Sequence, residues 1–481
     1  VDWNLSIVGS ELILLATVAL LILSYLASLK KNLDSVAFDL ITGFGFFAAL
    51  LFSVYQWGAP AQDAFGGRLI LDPLAQYLRP LLLLIGLGTL LLSSPYLKRE
   101  KLEKMEFHAL TLFSVMGMMI LSSSGDLLTL FLGLELLSLS LYVLVGFHRE
   151  KSRSLEASLK YFLLGAFASA LLLFGMALLW GTAGTIHFAG LAESWQEGVL
   201  LSHSLARAGF WMVFVGLVFK ISVVPFHFWT ADVYEGSPAP VAGFMATGTK
   251  AAALIVFARF LLEGFASSRA EWLPVLWWLS LFTMAVGNLM AIAQANIKRM
   301  LAFSSVAHAG YLLLALVAGT SLSMRAMLFY LAAYTIMNLG AFAVVSLVGR
   351  EGERYQSIYD YDGLAKQHPW MAAMMATFLF SLAGIPPAVG FVGKFLIFSE
   401  LIKGGFLPLA VVGVLFSLVS AYYYLRVIYL MYMKDAYDER PAPAMPASAG
   451  ILMGLAMILI LWFGIFPSGL LELAATASLP F

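Results

Sequence analysis

The stretch Phe219-Lys220-Ile221-Ser222-Val223-Val224-Pro225-Phe226-His227-Phe228-Trp229-Thr230-Ala231-Asp232-Val233-Tyr234 closes an apolar run that spans about residues 206–234. A membrane helix needs only about 20 residues, so this run is too long for one straight crossing. Pro225 lies within it. Proline removes a backbone donor and clashes with the preceding turn, which predicts a helix broken near mid-membrane. Lys220 adds an ionisable group where one costs at least about 2.5–3.5 kcal/mol. A broken helix with a buried charge is the pattern of an ion or substrate path. A packing kink is the competing reading of the proline alone.

Outward from this stretch the same texture continues. Apolar runs of spanning length centre on about 6–29, 35–57, 75–93, 106–123, 126–147, 156–180, 206–234, 239–261, 272–293, 299–318, 324–348, 370–402, 407–432 and 447–466. The sequence therefore predicts an all-α polytopic membrane protein with about 14 transmembrane helices. Two are expected to be discontinuous, one near Pro225 and one near Pro386, where Ile385-Pro386-Pro387 interrupts the run at 370–402. Period-two alternation is rare, so a transmembrane barrel fits poorly. Of the 481 residues 61% are hydrophobic and 12% charged, against about a quarter charged in soluble chains.

The basic residues test the count. Alternating connections carry Lys30, Lys31, Lys98, Arg99, Lys101, Lys104, Arg149, Lys151, Arg153, Lys298, Arg299, Arg350, Arg354, Lys366, Lys434 and Arg440. The other set carries only Arg68, Arg79, Arg207, Arg269, Arg325 and Lys403. The positive-inside rule then places both termini on the outer, periplasmic side. The first residues, Val1 to Ser10, hold no base, so a cleaved signal peptide is not expected.

Lys+Arg and Asp+Glu are equal at 28 each, which gives no pull toward nucleic acid. There is no cysteine, so disulfides, thiolate catalysis and iron–sulfur ligation are excluded within this chain. No histidine pair has metal-ligand spacing and no His-Glu-x-x-His occurs, so no metal site is expected. Gly243-Phe-Met-Ala-Thr-Gly248-Thr249-Lys250 approaches a phosphate loop, but its lysine is displaced and followed by Ala251 in a membrane helix. Nucleotide binding is rejected.

Six basic residues fall inside the runs: Lys160, Lys220, Lys250, Arg259, Lys394 and Arg426. Glu135 is the acid nearest a span centre. Lys160 lies one turn in, where snorkelling to the inner interface competes with a functional role. Arg259 and Arg426 read as structural. Glu135, Lys220 and Lys250 lie near the middle of their segments, too deep to snorkel easily. Lys394 follows the double proline, roughly ten residues short of the outer end, and small neighbours such as Gly133, Gly248, Thr249 and Gly393 accompany these groups. Together they suggest a relay. His308, beside Ser304 and Ser305, suits proton transfer, with an interhelical hydrogen bond as the alternative. His227 is expected to cap the broken helix.

The opening stretch extended to Val241, with Leu382-Ala-Gly384-Ile-Pro386-Pro387-Ala-Val-Gly-Phe-Val-Gly393-Lys394-Phe and Asn296-Ile-Lys298-Arg299-Met-Leu-Ala-Phe-Ser304-Ser305-Val-Ala-His308-Ala-Gly-Tyr311, resembles the antiporter-like subunits of respiratory complex I. The similarity covers nearly the whole chain. Lys394, where the subunit M branch carries glutamate, and Tyr234 with Gly236-Ser-Pro-Ala-Pro240 resemble the subunit N branch. Multisubunit sodium/proton antiporters share the core and are the alternative.

The resemblance implies that Glu135 is the acidic partner of Lys220, and that Lys250 and His308 relay protons to an outlet at Lys394. It also matches Lys160 to a sixth-helix lysine. It implies a division into residues 1–105, two antiporter-like halves at 106–265 and 266–435, and a C-terminal helix in 436–481. FMN, iron–sulfur clusters and quinone would belong to partner subunits, with no cofactor in this chain. The partners it implies are the other membrane-arm subunits, lipid and protons, in a bacterial inner membrane.

Overall fold

The computed structural model describes residues 4–28, 35–196, 203–436 and 445–477. The chain opens with α1 (Gly9–Ser28) and α2 (Ser35–Tyr55), then a hairpin of β1 (Gln62–Ala64) and β2 (Leu69–Leu71). There follow α3 (Pro73–Glu100), α4 (Met105–Ser122), α5 (Leu127–Val145), α6 (Ser152–Ala183) and a short α7 (Phe188–Gln196). Next come α8 (Ser204–Ile221), α9 (Thr230–Gly236) and α10 (Ala239–Phe244), which runs through a π-helical turn at Met245–Thr249 into α11 (Lys250–Arg259). The rest is α12 (Arg269–Ile292), α13 (Ile297–Ala318), α14 (Ser321–Val348), α15 (Leu364–Gln367), α16 (Pro369–Ala383), α17 (Val389–Lys403), α18 (Leu407–Met433), α19 (Ala447–Ile465) and α20 (Ser468–Thr476).

Thirteen helices among the described residues are long and apolar enough to cross a membrane. Interval 370–402 instead falls on α16 and α17, two 15-residue helices parted by Gly384 to Ala388. Interval 206–234 falls on α8 and α9, with Ser222 to Trp229 between them. The hairpin is the one strand pairing found among named strands, with Gln62 opposite Leu71.

Local chemistry sets the ends. The Asp72 carboxylate accepts from Ala75 N at 2.9 Å with Pro73 behind it, and Asp126 accepts from Thr129 N at 2.6 Å. Both are side-chain N-caps. Asn296 does the same for Lys298 and Arg299. Gly384 ends α16 with φ of +84°, and a Cβ there would lie 3.0 Å from the Lys394 side chain. Glycine is required on both counts.

The burial pattern is that of a bundle immersed in an apolar medium. The segment Ala239–Gly264 and α13 are enclosed by other helices, and α14 almost so. Outward faces carry Phe44, Phe167 and Leu418, each at least 71% exposed. That much apolar surface is tolerated in lipid and not in water.

Arg79 corrects one expectation. It is not in an outer connection but inside α3, 1% exposed, paired with Glu11 at 2.8 Å and donating to Ile7 O at 2.6 Å. The apolar run at about 75–93 already encloses Arg79, but its place near the start of that run puts it with the connection before it. Lys30, Lys31, Arg440 and both chain ends, named in the orientation argument, lie outside the described residues.

Candidate functional site

Lys220 occupies the last turn of α8, just before the break, and is 4% exposed. Its ammonium donates to Ser138 Oγ at 2.7 Å and to Tyr161 Oη at 2.9 Å. The Tyr161 ring also lies 4.9 Å from Nζ, close enough for a cation–π contact. Glu135 is one turn before Ser138 on α5 and accepts a hydrogen bond from Ser169 on α6. Glu135 and Lys220 make no ion pair in this structure. A cavity with room for about one water is lined in part by Ser138, Lys220 and Ser169, the serine that donates to Glu135.

Lys160 is set apart from this pair. Its side chain is 42% exposed and bonded to Glu156 at 2.6 Å and Asp232 at 2.9 Å. Asp232 is shared with Arg299 at 2.6 Å, and Arg299 reaches Glu235 at 2.8 Å. Lys160 thus belongs to a charge cluster around α9.

Lys250 begins α11 directly after the π-helical turn, is 2% exposed, and its Nζ has no hydrogen-bond partner among the described residues. An orphaned buried ammonium costs several kcal/mol unless water or a neighbour serves it. The Ser305 hydroxyl lies between those of Tyr234 and Tyr334, and none of the three makes a bond of good geometry among the described residues.

His308 stands on α13 beyond them. Its Nδ1 is 2.6 Å from Tyr330 Oη and its Nε2 is 3.1 Å from Tyr424 Oη. The neighbouring Tyr423 donates to Asn288 Oδ1 at 3.1 Å, and Asn288 Nδ2 donates to Tyr311 Oη at 3.1 Å. The Tyr311 ring then faces Lys394 Nζ at 5.0 Å. A mixed series of hydrogen bonds and ring contacts, through Tyr424, Tyr423, Asn288 and Tyr311, therefore runs from His308 to Lys394.

Lys394 is 4% exposed and donates to Leu382 O, Ala383 O and Ser417 Oγ, each at 3.0 Å. The two carbonyls close α16, where the helix dipole favours a cation. A cavity of about 480 Å³ adjoins it and opens outward past Phe395 and Leu418.

His227 differs from expectation: its side chain does not cap α9. Trp229 holds the N-cap position, and the bond to Thr230 N comes from the His227 carbonyl.

Arg259 is 1% exposed and saturated by Asp72 at 2.5 Å, Glu263 at 2.6 Å and Ser122 O at 3.0 Å. It ties α11 to the start of α3. Arg259→Leu should lower stability by on the order of 2–4 kcal/mol, below the range for fully buried pairs because water reaches both carboxylates. An unchanged thermal dissociation temperature of the assembled protein would refute that. Arg426 donates to Tyr359 Oη at 2.7 Å and also lies over its ring.

Sequence reasoning missed Ser138, Tyr161, Asp232, Asn288 and the tyrosines around His308. One signal was present: Tyr330 and Tyr334 are four apart and Tyr311 follows His308 by three, so each pair shares a helix face. Among the described residues no cluster of His, Asp and Glu could hold a metal ion.

A polytopic helical membrane protein with a row of buried lysines through its interior is the class these features define. Residues 124–420 match the family described as NADH:quinone oxidoreductase/Mrp antiporter, TM. NADH-quinone oxidoreductase subunit N of Trichlorobacter lovleyi is 42% identical over 98% of this chain and 97% of its own. The Rhodospirillum rubrum subunit N is 44% identical over 97% and 95%. The chain belongs to the subunit N family of NADH-quinone oxidoreductases. A chain of respiratory complex I from Thermus thermophilus with bound Aureothin superposes with a TM-score of 0.81 at 35% identity, over 97% of this chain and 99% of that one. A chain of the Mrp complex from Dietzia shares the fold, with a TM-score of 0.86 at 21% identity over 98% and 97%.

Proposed function

We propose that this chain translocates protons as a membrane-arm subunit of a proton-pumping NADH:quinone oxidoreductase, in the inner membrane of a bacterium. One observation carries the reading. Lys220, Lys250 and Lys394 are each at most 4% exposed, and none of the three has a carboxylate within ion-pair distance among the described residues. An interior ammonium without a fixed counter-charge changes the charge of its site whenever it takes or gives a proton. That is what a relay requires and what a structural ion pair avoids.

In this reading Glu135 and Lys220 load the proton, and Lys250 and His308 pass it between the halves at 106–265 and 266–435. Lys394 releases it outside. Lys160 sits at the inner mouth with Asp232. Each broken pair, α8 with α9 and α16 with α17, makes one crossing, for 14 crossings with both termini outside. The driving energy comes from NADH oxidation and quinone reduction at FMN, iron–sulfur clusters and quinone in partner subunits. This chain supplies no redox group of its own.

Isolation from native membranes under mild conditions tests the assignment. Co-isolation with NADH-oxidising subunits is expected, whereas recovery within a sodium/proton antiporter assembly would replace the proposal with that alternative. Orientation has its own check: a reporter fused after Phe481 should be active only on the outer side.

A further inference from the structure

We propose that Tyr161 and Trp229 are positioning residues for Lys220, and that α9 links them to Arg299 on the second half. This rests on the reading of Lys220 as a proton carrier. Trp229, at the N-cap of α9, stacks on Tyr161 with ring centroids 4.7 Å apart and planes 17° apart. Its indole N–H donates at 3.3 Å to the carbonyl of Phe219, the residue before Lys220. Tyr161 in turn supplies one of the two oxygens that accept from the Lys220 ammonium. One end of α9 therefore touches both the backbone beside Lys220 and one of its acceptors.

The rest of the helix is gripped by charge. Asp232 is bonded to Lys160 at 2.9 Å and Arg299 at 2.6 Å, and Glu235 to Arg299 at 2.8 Å and Arg153 at 3.3 Å. Arg299 stands nine residues before His308 on α13, about 13 Å along the axis. Seven residues of α9 thus join an arginine of the second half to the hydrogen bonds of Lys220. A shift of α13 that pulls on Arg299 moves α9, and with it Trp229, Tyr161 and the acceptor. The titratable groups facing Lys220 among the described residues are Glu135, Tyr142 and Tyr161, and those facing α9 include Arg153, Lys160, Arg299 and, at its C-cap, Lys298. Arg299 touches none of the first set, and loss of its charge acting directly across space would favour the Lys220 ammonium, the opposite sign to an effect carried through the helix.

The test uses the complete complex in sealed vesicles, with protons moved per quinone reduced measured from neutral to alkaline pH. Tyr161→Phe keeps the ring and its stack but removes the acceptor, so the alkaline limb of translocation should move about one pH unit toward acid. Arg299→Gln should move the same limb, and the double variant no further than the larger single shift. Arg299→Lys, which restores the charge, should recover most of the profile and serves if the glutamine variant does not assemble. An unmoved limb in Tyr161→Phe, or additive shifts in the double variant, would overturn the proposal. Lys220→Arg separates the two levels. If it pumps at the full ratio the carrier reading fails, whereas a loss there with Tyr161→Phe unchanged removes only the positioning role.

Discussion

Lys220→Arg is expected to assemble with its partner subunits and reduce quinone, while proton translocation through this chain falls by about tenfold or more. The geometry makes arginine a fair structural substitute. Ser138 Oγ and Tyr161 Oη, at 2.7 and 2.9 Å from Nζ, can accept from a guanidinium as well as from an ammonium. The cation–π contact with Tyr161 would also survive. What arginine lacks is a neutral form. With a pKa above about 12, fewer than about one guanidinium in 10⁵ is deprotonated at pH 7. A fixed charge that only holds the helix break together would be replaced with little loss. A carrier would be stopped. The ratio of protons moved to quinone reduced, measured in vesicles holding the assembled variant, distinguishes these outcomes, and a full ratio would remove Lys220 from the relay.

The membrane class was legible because its signal is dense. Each crossing is written in about twenty apolar residues, and 61% of the chain is hydrophobic. The helix ends at Ile221 and Ala383 fall close to Pro225 and Pro386. Pro80 and Pro95 lie inside α3 and Pro274 inside α12 without ending them, so proline alone did not decide where a helix stops. The deep lysines stood out because charge is rare in such runs. Their partners did not. Lys220 meets Ser138 and Tyr161 from 82 and 59 residues away, and neither carries a charge that an apolar run must explain. Sequence reasoning therefore paired Lys220 with the one visible carboxylate, Glu135, which here bonds to Ser169. Asp232 was read as part of a motif and not as a counter-ion, because its partners Lys160 and Arg299 lie on other helices. Three-dimensional juxtaposition is what periodicity does not encode.

Lys298→Met should cost on the order of 3–5 kcal/mol of stability, among the largest losses available from a single polar residue of this chain. Lys298, in the first turn of α13, has a side chain 1% exposed and lies 2.9 Å from the Glu353 carboxylate, itself 8% exposed. It also donates to Ser237 O at 2.7 Å. Glu353 accepts further bonds from Ala239 N at 2.9 Å, Tyr96 Oη at 3.0 Å and Gln356 Nε2 at 3.1 Å. The pair therefore clamps the junction between α9 and α10, just ahead of the helix that leads to Lys250. Methionine fills similar space but leaves a buried carboxylate with neutral donors and only the weaker pull of the Lys151 charge. The pH dependence tells a lost charge from lost packing. Burial on its own would raise the Glu353 carboxyl, but the charge and hydrogen bond of Lys298, with help from Lys151 and Ala239, hold it below the usual carboxylate range. A carboxyl depressed in the folded state contributes stability that is fully present above its unfolded value, about 4.3, and is lost as pH falls through the folded one. The native protein should keep this contribution at mildly acidic pH. In Lys298→Met the main lowering cause is gone and burial dominates, so Glu353 takes up its proton closer to neutrality and the penalty of the bare charge is relieved on acidification. The gap in thermal dissociation temperature between the two proteins should accordingly be widest at neutral to alkaline pH and narrow toward pH 5. A gap that stays constant across that range would mean that packing, not charge, holds the junction.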